Sequence, residues 1–204
     1  MDLILFELGD PSLTKAKGND GAAGGSLIDG AAEGDWQAIT ANPGFQGNLN
    51  IKPEQCVELV SVNQGIQQQV TTDVSNSART SGRPMISDFT CVKYVDVTSP
   101  KLYECCLRAK LLDLKGSPCR IHVLRNSGDR MNVIMQFELT DVIISEIQFQ
   151  SHPNDMATEQ FKLNFTEISW IHCLQGPAME NKGHVATGWS VVRNRPISPG
   201  SYTL

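Results

Sequence analysis

In the second half of the chain, apolar residues return at every second position for whole segments, a rhythm that only extended strand can use. Val133, Met135, Phe137 and Leu139 alternate with Asn132, Gln136 and Glu138. After Thr140-Asp141 the rhythm resumes at Ile143, Ser145, Ile147 and Phe149, and Phe161, Leu163 and Phe165 then alternate with Lys162, Asn164 and Thr166. Successive side chains of a strand point to opposite faces, so each run has one face for a core and one for a wetter surface. Ile168 and Trp170 take the opposite parity, which a bulge or bend near Glu167 would explain. His152-Pro153-Asn154-Asp155 has the composition of a turn.

The rest of the chain mostly follows suit. Leu3 to Leu8 reads as a first strand and Cys56 to Val62 as another, with Gly65 marking a bulge or bend before Ile66 to Val70. Beyond Pro84, Phe89, Cys91, Val95 and Val97 share one parity, and Thr90, Tyr94 and Asp96 the other. Ile121 to Leu124 leads to a turn at Ser127-Gly128-Asp129, and Trp189 to Val192 is a short strand. One helix interrupts the pattern. Ser99 is suited to the N-cap and Pro100 to the first helical position, where its missing N–H costs nothing. Leu102, Cys105, Cys106 and Ala109 then form an apolar stripe, Lys101, Glu104, Arg108 and Lys110 face away, and Leu111 to Leu114 prolong the helix until Gly116 and Pro118 stop it. Seven or eight strands and one helix predict a mainly β fold: a barrel or sandwich of two antiparallel sheets flanked by one α-helix.

Two segments depart from this scheme. Nine of the 17 glycines fall between Gly9 and Gly47, where only Trp36, Ile39 and Phe45 offer large apolar anchors. Ordering such a segment loses much backbone entropy for little burial, so it reads as an insertion at about 9–50 in a single domain spanning 1–204. Thr71 to Arg83 is polar, with only Val74 of any bulk, and reads as an extended excursion from the barrel. A short tail covers about 176–204.

Chemistry is sparse. A net charge of -5 without any Lys/Arg cluster disfavours a nucleic-acid ligand. There is no HExxH, GxSxG, Walker or dinucleotide motif. Cys119 and His122 have a ligand-like spacing, with His172 and Cys173 as further donors, but on a strand positions 119 and 122 point to opposite faces. We therefore expect no metal, no cofactor and no catalytic residues. The six cysteines, two of them adjacent, follow no disulfide framework and read as small buried thiols. Asn164-Phe165-Thr166 matches a glycosylation sequon and reads as a coincidence of strand composition. The N-terminal apolar run is too short and lacks the basic start of a secretory leader, and no stretch approaches the ~20 apolar residues of a membrane helix. The expectation is a cytoplasmic product that leaves the cell, if at all, by another route.

Three blocks resemble the Hcp family of type VI secretion tube proteins. Gly82-Arg83-Pro84 followed by Asp88-Phe89-Thr90-Cys91-Val92-Lys93 and then Asp96-Val97-Thr98-Ser99-Pro100-Lys101-Leu102 is similar to its turn, strand and helix start. Phe137 to Ser145 and Glu159 to Trp170 resemble two further strand blocks in the family's order, and Thr187-Gly188-Trp189 resembles its ending. The Gly9–Gly47 segment is longer than the family's loop, and Val62-Asn63-Gln64-Gly65 lacks an aromatic common there. The resemblance implies a phage tail-tube-like barrel that closes into hexameric rings and stacks into a hollow, secreted tube. Its partners would be other copies of itself, a contractile sheath, a spike, and effectors in the lumen, and it would be no enzyme. It also implies that the polar excursion reaches a neighbouring subunit or ring. Thr72, Asp73, Arg79, Gly82, Arg83 and Pro84 are then the candidate interface residues, with Arg79 and Arg83 as ion-pair donors. The nearest rival is a phage-type tail-tube protein. An appended toxin has no room outside an insertion poor in apolar residues, and a carbohydrate-binding sandwich would carry clustered exposed aromatics.

Overall fold

The computed structural model of the chain describes residues 3–14, 51, 55–73, 78–96, 98–126, 131–175 and 181–198. Most of the expected insertion, residues 15–50, and the turn at Ser127-Gly128-Asp129 lie outside them. The described residues include fifteen strands, one α-helix and a short 3-10 helix at Pro11–Leu13.

Seven strands form one antiparallel sheet: β1 (Leu3–Glu7), β2 (Cys56–Leu59), β9 (Cys119–Asn126), β10 (Met131–Thr140), β13 (Glu167–Gln175), β14 (Asn181–Ser190) and β15 (Arg195–Ile197), in the order β15-β14-β13-β10-β9-β1-β2. A second sheet has the order β11-β12-β8-β3, from β3 (Ser61–Asn63), β8 (Phe89–Tyr94), β11 (Ile143–Gln150) and β12 (Thr158–Asn164). Two further pairs stand outside both sheets, β4 (Ile66–Gln67) with β7 (Met85–Ile86) and β5 (Val70–Asp73) with β6 (Ala78–Ser81).

The two main sheets face each other across a single core. Phe6, Val57, Ile121, Leu139 and Ile168 come from the first sheet, Phe89, Cys91, Ile144, Phe161 and Leu163 from the second. Rings interlock at its centre: Phe89 meets Phe137 edge-on at 5.2 Å between centroids, and Phe6 lies 6.1 Å from Phe161. The strands pass between sheets at sharp corners. At Val60 the chain leaves β2 for β3 while the Val60 N–H donates to the Val92 carbonyl at 2.7 Å, so the expected strand 56–62 is two strands around a bend. Between β10 and β11, Asp141 adopts φ 53°, and the Asp113 carboxylate accepts the Asp141 and Val142 N–H groups at 3.0 and 2.8 Å. The bulge or bend expected near Glu167 is a bend at Thr166, where the chain passes from β12 of the second sheet to β13 of the first.

The register of β11 differs from the simple alternation. A shift between Ile144 and Glu146 gives the strand an extra residue at Ser145. Ile144 thereby takes the core position, and Phe149, at the far end, is 61% exposed.

The helix α1 (Ser99–Arg108) closes the core with Leu102 and Cys105. Its N-cap is Thr98, one residue earlier than expected, and Ser99 already lies inside it. Pro100 falls in the first turn as expected, but Ala109 in the left-handed conformation ends the helix before Leu111. The far face of the seven-stranded sheet is also buried, with Leu5 and Leu124 beside a polar group. There Glu7 meets His122 at 2.9 Å, and Arg120 bridges Glu7 and Glu138 at 3.3 and 3.0 Å. The neck behind β1 is tight: a Cβ on Gly9 would lie 2.0 Å from the Ser117 carbonyl oxygen.

Candidate assembly surface

Residues 66–86 leave the barrel as a two-stranded ribbon. Ile66 pairs with Ile86 and Gln67 with Met85 at its root, and Val70 to Asp73 pair with Ser81 to Ala78 further out. The extended excursion expected at 71–83 is thus, over its described residues, paired strand. The ribbon pairs with neither main sheet. Ile66, Val70 and Met85 are 57%, 53% and 58% exposed, although a two-stranded ribbon has little stability of its own. Among the described residues β11 and β3 are the edges of the sheet β11-β12-β8-β3, and a sheet edge can accept another strand.

The candidate interface residues divide along this ribbon. Thr72 pairs with Arg79, and Asp73 with Ala78, in the outer part, where the side chains lie outside the described residues. Gly82, Arg83 and Pro84 lie on the returning strand near the root. The Gly82 N–H donates to the Gln69 carbonyl at 2.9 Å, and Gln68 Nε2 donates to the Gly82 carbonyl. Arg83 Nη2 donates to the carbonyl of Val191 in this same chain at 2.7 Å. The root is clasped where the ribbon leaves: Ser87 N–H donates to the Gly65 carbonyl at 2.9 Å, and Gly65 N–H to Ser87 Oγ at 2.8 Å.

A buried ionic cluster at the start of α1 escaped the sequence reading. Lys93 and Glu159, both 0% exposed, meet at 2.8 Å. The same ammonium reaches Asp96 at 2.9 Å, the Tyr94 carbonyl at 2.9 Å and Ser99 Oγ at 3.3 Å. Ser99 Oγ donates in turn to Glu159 at 2.8 Å, so this hydroxyl joins helix to sheet instead of capping the helix. Burial, with Glu159 alongside, pushes the Tyr103 phenol up to about 12. Parity was the available signal: Lys93 follows Phe89 and Cys91 on the core side of β8.

The candidate chemistry does not converge. Cys119 belongs to the central core, whereas His122 faces the opposite side of its sheet against Glu7. Among the described residues no group of three or more His, Cys, Asp or Glu could hold a metal ion. All six cysteines are free thiols. Burial pushes Cys91 upward and Cys119 to about 12, so neither supplies a thiolate near neutral pH. Asn164 of the sequon donates to the Asp88 carboxylate at 2.8 Å. Among the described residues no helix is long and apolar enough to cross a membrane.

Two facing antiparallel sheets sealed by one helix, with a two-stranded ribbon outside them, define a mainly β fold of the barrel or sandwich kind. The chain belongs to the family described as the type VI secretion system effector Hcp, whose model matches residues 40–172. It is thus a type VI secretion tube protein, of a family that is structural. No curated protein matches the sequence. Solved structures share the fold at low identity. A structure described as a type six secretion system protein has a TM-score of 0.63 at 18% identity, over 74% of this chain and 93% of its own. Hcp1 from Salmonella typhimurium has a TM-score of 0.59 at 16% identity, over 96% of this chain and 99% of its own. Hcp3 from Pseudomonas aeruginosa has 0.50 at 15%, over 91% and 97%.

Proposed function

We propose that this chain closes into hexameric rings that stack as the inner tube of a type VI secretion apparatus, and that it leaves the cell through that apparatus with effector proteins in its lumen. The observation that carries the reading is the ribbon of residues 66–86: it is ordered as paired strands, lies outside both sheets and exposes Ile66, Val70 and Met85. A marginal element of this kind gains its burial from a neighbouring copy. Thr72, Asp73, Arg79, Gly82, Arg83 and Pro84 are the residues assigned to that contact. The open edges β11 and β3 supply a second contact of the same head-to-tail kind. The sheath and spike are the further partners, and the subunit itself performs no catalysis.

Native mass spectrometry and negative-stain imaging of the purified protein over a concentration series test this. Six-fold rings, lengthening into tubes as concentration rises, are the expected result. A species that stays monomeric at the highest concentration overturns it.

A further inference from the structure

Resting on the ring reading, we infer that Arg83 and Asp88 are positioning residues that fix the angle at which the ribbon leaves the barrel, so that a second copy of this chain meets it already aimed. Among the described residues the ribbon meets the barrel at the two chain crossings at Gly65 and Ser87, which clasp each other, and at Ile86, which packs against the core. Such a clasp acts as a hinge: it holds the two crossings together without fixing the direction of what lies beyond.

Arg83 removes that freedom from beyond the hinge, and Asp88 holds the barrel side of the hinge in place. Asp88, one residue past the hinge, accepts Ser145 Oγ of β11 at 2.6 Å and Asn164 Nδ2 at the end of β12 at 2.8 Å. Both partners belong to the four-stranded sheet, so the carboxylate ties the root to it from two directions. Arg83 lies on the ribbon itself, and its guanidinium reaches 108 residues along the chain to the Val191 carbonyl. Val191 follows β14, packs on the core and donates its own N–H to the Thr166 carbonyl at 2.9 Å, so Arg83 grips a rigid corner of the seven-stranded sheet. A hinge held on its barrel side by Asp88, with the Arg83 tie to the seven-stranded sheet beyond it, determines an orientation. This is a different task from the ion pair across a subunit boundary expected of Arg83. An aimed ribbon loses less conformational entropy on docking than a swinging one, which is the general advantage of preorganisation.

The test uses Arg83→Ala and Asp88→Ala, with Arg83→Lys as the conservative variant, since an ammonium can also donate to a carbonyl. Three quantities are read on each: the unfolding temperature of the dilute protein, amide hydrogen exchange at 66–73 and 78–86 below the assembling concentration, and the half-assembly concentration by sedimentation. The expected result is an unaltered unfolding temperature, faster exchange in the ribbon, and a half-assembly concentration raised about tenfold for each alanine variant. Arg83→Lys should recover part of the loss. Unchanged ribbon exchange in both alanine variants overturns the positioning role, and faster exchange with unchanged assembly overturns its link to docking. A wild-type chain that never forms rings sinks the ring reading instead, while the exchange measurement still decides whether Arg83 and Asp88 hold the ribbon.

Discussion

Replacing Lys93 by methionine should cost this protein more than any other single change of charge in the described barrel. Methionine keeps roughly the length and the apolar volume of the lysine stem, so little packing is lost. What remains is the Glu159 carboxylate, 0% exposed and deprived of the ammonium that lay 2.8 Å away. The Ser99 hydroxyl, at 2.8 Å, still donates to it, and the Tyr103 phenol lies alongside, but both are neutral groups. Removing one partner of a buried ion pair costs about 3–5 kcal/mol, because the other charge stays in a poor solvent. For a domain of this size each kcal/mol lowers the unfolding temperature by about 2–4 °C, giving a fall of about 6–20 °C. Urea unfolding followed by circular dichroism, at one fixed protein concentration, measures the loss directly. The companion variant Lys93→Met with Glu159→Gln replaces the stranded charge by a neutral amide and should regain at least half of it. The reasoning fails if Lys93→Met alone loses less than about 1 kcal/mol, or if the double variant is as unstable as the sum of the two single ones.

Two smaller predictions concern the neck behind β1. Gly9→Ala would place its Cβ 2.0 Å from the Ser117 carbonyl oxygen and 2.8 Å from Asp113 Cα, both backbone atoms, so a loss of about 3 kcal/mol is expected, and an unchanged urea midpoint would refute it. At Asp10 burial raises the carboxyl, but hydrogen bonds from Ser12 and Lys110 outweigh it and hold the group below its ordinary 3.8. Its stabilising contribution is therefore present above that value and disappears as pH falls through the lowered one. Lys110, raised by its bond to Asp10, contributes below its ordinary 10.5 and loses that contribution as pH rises through the raised value. The urea midpoint of Asp10→Asn should thus lie below wild type across the window between, and the two should converge in acid; a gap that persists below the carboxylate range would contradict this.

What the sequence revealed followed from local rules, and what it concealed was decided elsewhere in the chain. Alternation located β8, β10 and β12 because a strand's two faces are written in every second residue. It misjudged only the start of β11, where one extra residue at Ser145 shifts the register and hands the core position to Ile144, while Ile147 keeps the face expected of it and packs against the core. Parity says which face a residue takes but not what waits there. Lys93 stands on the core side of β8, and its burial becomes intelligible only beside Glu159, 66 positions away and brought in by the pairing of β12 with β8. Ser99 looked like a cap because Ser before Pro usually is one; the Glu159 carboxylate, which accepts from its hydroxyl, and the Asp96 backbone N–H, which donates to it, drew it into another role. Of the assembly surface, the sequence marked residues 71–83 as polar and extended. It could not show that they pair into a ribbon, or that Arg83 reaches Val191.

That last contact bears on why a tube subunit should hold a polar ribbon so firmly. The ribbon and the edges β11 and β3 are different surfaces of one chain, so contacts between copies through them would be head-to-tail in the proposed ring. Head-to-tail contacts generate closed rings only when the rotation from one copy to the next divides a full turn; otherwise they run on as open helices. The rotation is set by the angle between the surface a copy offers and the surface it receives. A ribbon free to swing about Gly65 and Ser87 would leave that angle undefined and allow a mixture of closed and open assemblies. Anchoring it to the four-stranded sheet through Asp88 and to the seven-stranded sheet through Arg83 makes the angle a property of the folded barrel. The same argument says where errors should appear. Loosening Arg83 should broaden the distribution of ring sizes in single-particle images before it abolishes assembly, whereas an uncoupled ribbon would weaken all assemblies equally and leave six-fold symmetry intact in those that survive.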